Sequence, residues 1–323
     1  MTDLSRRSFA LGLPATSVAA AALMPSRPVR AQGKRAAPRA APPIAQTAIG
    51  RFTVTALADG HADMPFGSFT GRAPAEIERA AASAFAAKPG GIRLVFNQYL
   101  IDDGERLILV DTGPAGAFGK TGQLPGALAS IGVTPDAIDA VIVTHLHVDH
   151  VGGLVAGGRR NFPNAEIYAD RRDVAHWTDP ARRTAAPDFL HGSFDAAAEL
   201  VRLYPRLQAT DGEREIARGV SIVDLTGHTP GHIGVRVQDG NQSILMVSDM
   251  LFHPAIHPVA SDIGFVFEQD PAAARAMRAR FFPRAAEEKA LVAATHMPFP
   301  GIGRIVPEGQ GLRWLPAEWA LQG

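Results

Sequence analysis

The ten residues THLHVDHVGG (144–153) contain four side chains that can bind a metal ion: His145, His147, Asp149 and His150. Successive side chains of an extended chain point in opposite directions, so His145 and His147 can face the same ion. Asp149 and His150 follow where the chain turns, and they can bind a second ion. A surface histidine or a helix-capping aspartate would explain one such residue, but not four in six positions. The loop therefore predicts a metal site.

Three more candidate ligands end apolar, strand-like runs elsewhere in the chain. His232 ends TGHTPGH after the run VSIVDL, Asp249 ends SILMVSD, and His296 ends ALVAATH. An α/β sheet builds its site from side chains that follow strand ends, even when these are far apart in sequence. We therefore expect the three residues to join the loop in one site.

The composition limits what kind of site this can be. The chain has 323 residues, 46% of them apolar, which suffices for one large domain or two smaller ones. Its 32 basic and 32 acidic residues balance, so the charge does not favour a nucleic acid or an anionic membrane as a partner. The absence of cysteine excludes disulfides, thiolate nucleophiles and cysteine-type zinc sites. Any metal must be held by histidine and carboxylate.

The N-terminus resembles a twin-arginine export signal. The pair Arg6-Arg7 precedes an apolar run at 11–24, and small residues end at Ala31, where we expect cleavage. A membrane anchor is the alternative, but the run is short and interrupted by Pro14, whereas a spanning helix needs about 20 apolar residues. We therefore expect the twin-arginine export machinery as a partner and a periplasmic or secreted mature protein.

The elements that must position the site alternate between strands and helices. Residues 1–31 are predicted to be the signal, 32–48 an Ala- and Pro-rich linker, and 49–323 one folded domain. Strand patterns fall at 52–60, 93–101, 106–113, 139–144, 165–170, 220–227, 233–238, 243–249, 290–296 and 311–315, and helix patterns at 73–87, 122–131, 171–177, 194–204 and 272–282. This alternation predicts a layered α/β fold.

The motifs HLHVDH, GHTPGH, SD and THMP, with ILVDTG at 108–113, together resemble those of the metallo-β-lactamase superfamily. The resemblance runs from about Phe52 to the C-terminus and implies a catalytic domain with a four-layer αββα sandwich. It implies a first metal held by His145, His147 and His232, a second held by Asp149, His150 and His296, and Asp249 as the bridge between them. It further implies that His228 is a loop residue rather than a ligand, and that Asp111 supports the ligand loop.

The same resemblance implies a hydrolytic chemistry. Ligation by nitrogen and oxygen alone suits two divalent ions, with zinc expected and manganese, iron or cobalt as substitutes. A hydroxide shared by the two ions would be the nucleophile. Asp149 or Asp249 would orient it or accept its proton.

Among members of the superfamily, the methyl-parathion-hydrolase-like and lactonase-like groups are the most similar. Quorum-quenching lactonases usually carry a tyrosine three residues after the bridging aspartate, where this chain has Phe252, and the methyl-parathion-hydrolase-like group has an apolar residue there. That likeness implies an aromatic pocket that includes Trp177, Phe194 and Phe252, although ordinary core packing would equally explain Trp177 and Phe194. The expected substrate is a small hydrophobic organophosphate triester, aryl ester or lactone.

Other functions stay open at this point. A mononuclear iron oxidoreductase of the persulfide dioxygenase kind shares much of the motif, as does a quorum-quenching lactonase. A metal-binding module without catalysis is a third class. A homodimer is possible, because aromatic residues near the entrance could serve a subunit contact.

Overall fold

The computed structural model describes residues 41–318. The predicted export signal lies outside these residues, as does the predicted linker up to residue 40. The predicted end of the linker at residue 48 is wrong, because Ile44–Ile49 form a strand that pairs antiparallel with Phe52–Pro65. Within the described range, no helix has the length and apolar character needed to cross a membrane.

The described chain contains seventeen strands, numbered in chain order. These are β1 (Ile44–Ile49), β2 (Phe52–Pro65), β3 (Phe69–Thr70), β4 (Ala87–Lys88), β5 (Gly91–Asp102), β6 (Leu107–Val110), β7 (Ala140–Ile142), β8 (Glu166–Asp170), β9 (Gln208–Thr210), β10 (Arg214–Ala217), β11 (Val220–Asp224), β12 (Ile233–Asp239), β13 (Gln242–Met246), β14 (Gly264–Phe265), β15 (Leu291–Ala293), β16 (Ile302–Glu308) and β17 (Gly311–Pro316).

Seven α-helices accompany the strands between residues 41 and 318. They are α1 (Pro74–Ser83), α2 (Leu124–Ser130), α3 (Val148–Val155), α4 (Arg171–Trp177), α5 (Pro180–Ala185), α6 (His191–Leu203) and α7 (Pro271–Glu287).

Two sheets form the centre of the molecule. The first has the order β1-β2-β5-β6-β7-β8-β9, with β4 added beside β5, and the second has the order β10-β11-β12-β13-β15-β16-β17. The short strands β3 and β14 form a separate antiparallel pair.

Side-chain alternation explains how the layers pack. On the parallel strands β6 and β7, Ile108 and Ile142 point towards the second sheet, whereas Leu109 and Val141 point towards helices. Helices α2, α3 and α6 cover the outer face of the first sheet, and α7 covers that of the second through Phe282. The predicted four-layer αββα sandwich is confirmed.

Most elements lie close to their predicted bounds, and the differences have local causes. The helix predicted at 73–87 ends at Ser83, because Phe85 has a φ of 55°, which a helix cannot contain. The strand predicted at 139–144 is limited to Ala140–Ile142, since the ligand loop follows. No pattern predicts α5, β9, β10 or β16, and the glycine and proline in IGRIVPE weaken the signal of β16.

Two connections determine the site. The ligand loop leaves β7 and continues into α3, while residues 251–270, which we call the strap, connect β13 and its short 3-10 turn to α7. The other predicted ligands follow β11, β13 and β15. The site therefore lies past the ends of several strands, as an α/β sheet requires.

Candidate metal centre

The ligand loop is held in place by Asp111, the residue after β6. Its Oδ1 accepts a hydrogen bond from Thr144 N at 2.8 Å, and its Oδ2 accepts one from Thr144 Oγ1 at 2.8 Å and one from His150 Nδ1 at 2.8 Å. Asp111 is buried and has a φ of 59°, an uncommon backbone state that aspartate tolerates better than most residues. The supporting role predicted for Asp111 agrees with this geometry.

The first cluster gathers three imidazoles and a carboxylate. His147 Nδ1 lies 2.9 Å from His145 Nε2 and 3.0 Å from His228 Nε2. Asp249 Oδ2 lies 3.2 Å from His228 Nε2 and 3.9 Å from His145 Nε2. All four side chains are buried.

The second cluster shares that same aspartate. Asp249 Oδ1 lies 3.2 Å from both His150 Nε2 and His296 Nε2. Asp149 Oδ2 lies 3.3 Å from His150 Nε2 and 3.4 Å from His296 Nε2. Asp249 Oδ2 is also 3.2 Å from His296 Nε2, so the carboxylate contacts histidines of both clusters, which is the position predicted for a bridging ligand.

These residues fit two metal ions. Ligand atoms around one tetrahedral zinc, with bonds of about 2.0–2.3 Å, lie about 3.3–3.7 Å apart, close to the separations in both clusters. His150 Nε2 is buried against two carboxylate oxygens, yet makes no hydrogen bond to any residue of the described chain. Three imidazole nitrogens converge in the first cluster, and the one lone pair of His147 Nδ1 can accept a proton from only one of the other two. A cation satisfies them all.

The second histidine of GHTPGH, His232, is the predicted ligand, and the structure also brings the first histidine, His228, into the first cluster. Gly227, with a φ of 148°, begins a turn that directs His228 towards His147, whereas His232 leads into β12, where its carbonyl accepts from Leu225 N at 3.0 Å. The spacing of the motif alone does not tell which ring points inwards.

His232 nevertheless lies next to the site. Its ring centroid is 5.2 Å from that of His145, and both of its nitrogens are buried without a hydrogen-bond partner in the described part of the chain. Burial lowers its pKa to about 3, so the ring is neutral at ordinary pH. A neutral ring with unpartnered nitrogens can offer a lone pair to a metal ion, so the ligand role of His232 stays a prediction.

Further contacts orient the remaining ligands. His296 Nδ1 donates to the carbonyl of Val95 at 3.1 Å, which turns Nε2 towards the carboxylates. Asp173 on α4 accepts from Leu146 N at 2.9 Å and from Gly231 N at 2.7 Å, so it connects the ligand loop to the turn that carries His228. Burial raises the pKa of Asp173 to about 6. Sequence reasoning missed Asp173, because a helical aspartate has no distinguishing spacing.

The two clusters differ in their proton affinity. Burial, reinforced by neighbouring imidazoles, holds the pKa values of His145 and His147 well below their ordinary range, so both rings keep a free lone pair. In the second cluster burial opposes protonation, but Asp249 and Asp149 overcome it and raise the pKa of His296 to about 9. The pKa of His150 is raised in the same way. Metal binding at the second cluster must therefore displace protons.

A cavity of about 290 Å³ opens onto the clusters. Asp149, Asp249, His147 and His296 form its polar end. Its other lining residues, apart from Ser193, are apolar: Met64, Leu94, Phe96, Phe118, Val148, Phe189, Phe265 and Phe267. A larger cavity of about 640 Å³ lies beside α2 and contains none of the ligands, so volume alone does not locate the site.

The three aromatic residues predicted for the pocket do not line it. Trp177 and Phe194 are buried in the core between the first sheet and its helices, where their rings lie 4.7 Å apart. Phe252 is buried behind the ligands and stacks on His296, with ring centroids 5.6 Å apart at 10°. Apolar packing holds all three in the core, and phenylalanines that no motif marks form the wall instead.

Comparison with known proteins agrees with this geometry. Residues 93–296 match the family model of the metallo-beta-lactamase superfamily. The crystal structure of hydrolase AbOPH, described as a member of the beta lactamase superfamily, superposes with a TM-score of 0.80 at 27% identity, covering 88% of this chain and 100% of that one. AidC, a dizinc quorum-quenching lactonase solved with a product, superposes with a TM-score of 0.79 at 27% identity, covering 86% and 98%.

A curated relative is similar over a shorter stretch. The N-acyl homoserine lactonase AiiB of Agrobacterium fabrum is 29% identical over 139 residues, which are 40% of this chain and 46% of that lactonase. The chain therefore spans about half the length of this relative. It belongs to the metallo-β-lactamase superfamily. The predicted family and the metallo-β-lactamase fold of the enzyme are confirmed.

Proposed function

We propose that the protein is a dinuclear metallohydrolase that opens lactones carrying an apolar acyl chain. The observation that carries this proposal is the position of Asp249, whose carboxylate contacts histidines of both clusters at the polar end of an apolar, aromatic cavity. The lactonase names of AidC and AiiB support the choice of substrate class.

The residues that would hold the ions follow from the clusters. His145 and His147 would hold one ion together with either the predicted His232 or the neighbouring His228. Asp149, His150 and His296 would hold the other ion, and Asp249 both. Two ions there would supply a hydroxide from water near neutral pH and polarise the oxygen of the scissile group. Zinc is the metal we propose, because the donor set contains only imidazole and carboxylate and AidC is a dizinc protein.

Asp149 and Asp249 are the catalytic residues beyond metal binding. Both line the cavity, and Asp149 is the more accessible, with 16% of its side chain exposed against 4% for Asp249. The pKa of Asp149 is lowered by His150 and His296 against the effect of burial, so its carboxylate is ionised at neutral pH. Asp149 can accept a proton from the attacking water and return it to the leaving alkoxide.

The cavity favours a neutral substrate. Among its lining residues, only metal ligands are ionisable, and Ser193 Oγ already accepts from Val148 N at 3.1 Å. An anionic or cationic substituent would lose its hydration without gaining a partner. An acyl chain, in contrast, gains about 25 cal/mol for each Å² of apolar surface that it buries.

An organophosphate triester is the second candidate, and one observation favours it. Phe252 stands where the similar lactonases carry a tyrosine, and none of the described residues that line the cavity is a tyrosine. A lactone carbonyl in this cavity would be polarised without the hydroxyl of a tyrosine. The methyl-parathion-hydrolase-like group, which cleaves triesters, has an apolar residue at that position. Aryl esters fit the same apolar space.

The mononuclear iron alternative has less support. A single ion would use one cluster and leave the buried nitrogen and carboxylate atoms of the other without a partner. The shared Asp249 supports a two-ion site over a persulfide dioxygenase.

A hydrolysis panel on the zinc-loaded mature protein tests the proposal. We expect N-decanoyl homoserine lactone to give the highest kcat/KM among that lactone, paraoxon, phenyl acetate and a β-lactam, with about two zinc ions per chain by mass spectrometry. Paraoxon as the best substrate would select the second candidate. A fully loaded protein that cleaves none of them, or that consumes oxygen with a persulfide, would overturn the hydrolase.

We also propose export through the twin-arginine route to the periplasm or the medium. The support is the Arg6-Arg7 pair before an apolar run. Replacement of both residues by lysine should keep the protein in the cytoplasm. Unchanged appearance in the periplasmic fraction would refute this route.

A further inference from the structure

The outer end of the cavity is a pair of aromatic rings from two distant segments. Phe189 belongs to the 3-10 turn Asp188–Leu190 that precedes α6, and Phe267 belongs to the strap. Their ring centroids are 5.2 Å apart at 79°, an edge-to-face contact. Phe189 is 53% exposed, whereas the metal ligands at the other end are buried, so the pair marks the end of the cavity that faces solvent.

An apolar path connects this pair to the metal centre. Phe267 lies 5.9 Å from the ring of His147 and 5.4 Å from Phe265, on which it stacks at 30°. The sequence of rings from ligand to solvent is therefore His147, Phe267 and Phe189. A substituent attached to the reacting group would follow the same line.

The two rings of the pair are held differently. Next to Phe267, the fully buried Glu268 pairs with Arg278 of α7, and Arg278 Nε also donates to Ser261 O at 3.0 Å. Arg278 thus fixes the strap on both sides of Phe265 and Phe267. The polar contact beside Phe189, between Asp188 and His191, is exposed rather than buried, and Phe189 itself is 53% exposed, so its ring can adapt to what binds between the rings.

We propose that Phe189 and Phe267 are specificity-determining residues that bind the distal part of an apolar acyl chain and select substrates by its length. This inference rests on the proposed hydrolysis of lactones or esters at the metal centre. A short acyl group would contact only the inner wall around Phe96 and Phe118. A long chain would reach the outer pair and bury apolar surface against both rings.

A homologous series of lactones with the variants F189A and F267A tests the pair. We expect KM for the decanoyl lactone to rise about tenfold in each variant, with KM for the butanoyl lactone within about twofold of the wild type and kcat unchanged. Phe189→Leu should restore most of the affinity for the long chain. Phe85→Ala is the matched control, because Phe85 is 98% exposed and does not line the cavity.

A binding measurement separates this inference from the proposed function. The N-acyl homoserine lactams of the same chain lengths resemble the lactones but are not opened, and calorimetry on the zinc-loaded protein gives their Kd. A length dependence of Kd that F189A abolishes supports the pair even if no lactone is hydrolysed. Hydrolysis with an unchanged length dependence in both variants refutes the pair and leaves the hydrolase intact. Lactams that bind with no dependence on chain length, or do not bind, also refute it. Should F267A fail to fold, the exposed Phe189 still decides the test.

Discussion

The metal clusters and the cavity wall of this protein are built in opposite ways. In the second cluster the ligand rings are oriented by polar atoms, as His150 is by Asp111 and His296 by the carbonyl of Val95. The wall consists of apolar side chains from six separate segments, and one of these, the strap, is anchored by the buried ion pair of Glu268 and Arg278. The chemistry thus depends on residue type at fixed strand ends, whereas selectivity depends on how loops pack.

The largest expected effect is a loss of activity when the ligand shared by the two metal clusters, Asp249, is changed. Asp249→Asn removes the anionic oxygen that both clusters share, so we expect kcat/KM to fall about 10⁴-fold and the zinc content to fall below two per chain. Mass spectrometry and lactone kinetics measure both. Asp211→Asn, which changes an exposed carboxylate away from the site, should leave both unchanged. Full activity in Asp249→Asn would exclude a shared ligand.

The next largest effect is a loss of stability when Arg278, which anchors the strap of the cavity wall, is changed. Arg278→Met leaves Glu268 as an unpaired buried charge, and the free energy of unfolding should fall by about 3–5 kcal/mol. The double variant with Glu268→Leu removes both charges and should return to within about 1 kcal/mol of the wild type. Urea unfolding measures the difference, and zinc content should stay constant in the double variant. Equal losses in the single and double variants would contradict the anchoring role.

A smaller effect is expected on the zinc affinity of the clusters when the supporting residue Asp111 is changed. Asp111→Asn keeps the positive φ, which asparagine tolerates, but removes the carboxylate that accepts from His150 Nδ1. Zinc affinity should fall about 10- to 100-fold, as is usual when a supporting carboxylate is lost. Competition with a chelating dye gives the affinity, and Asp136→Asn on the surface is the control. An unchanged affinity would mean that Asp111 only shapes the loop.

The smallest expected effect is a loss of stability at low pH that is caused by His257 in the strap. Burial, with the charge of Arg278, lowers the pKa of His257 to about 3. The ring is neutral in the folded chain. Its contribution to the free energy of unfolding is therefore fully present above its unfolded pKa of about 6.5 and is lost as the pH falls towards 3. Between pH 7 and 5 this amounts to about 2 kcal/mol of unfolding free energy. His257→Met cannot titrate, so its stability should fall less over this range, and equal slopes would refute the assignment.

The comparison also explains what could be predicted from the sequence. Six of the seven predicted ligands meet in the clusters, because strand ends in an α/β sheet converge whatever separates them in the chain. The seventh, His232, lies next to His145 on the same turn as His228, and only the backbone course after Gly227 decides which of the two rings faces the cluster. The sandwich fold follows from the strand and helix alternation and the motifs.

The wall could not be predicted in the same way. Trp177 and Phe194 have the types expected of a pocket, but the same apolar character directs them into the core. Phe118, Phe189 and Phe267 lie on loops whose paths depend on tertiary packing, and no spacing relates them to the ligands. The position of an apolar residue can be predicted only where its spacing follows the period of a helix or a strand. Loops have no such period, so the positions of their apolar side chains cannot be predicted in this way.

Anomalous X-ray diffraction at the zinc edge from crystals of the zinc-loaded protein tests the central claim most directly. We expect two peaks, one beside His145 and His147 and one among Asp149, His150 and His296, with Asp249 between them. The ring bound to the first peak identifies His228 or His232 as the third histidine ligand. A single peak would contradict the two-metal centre described above.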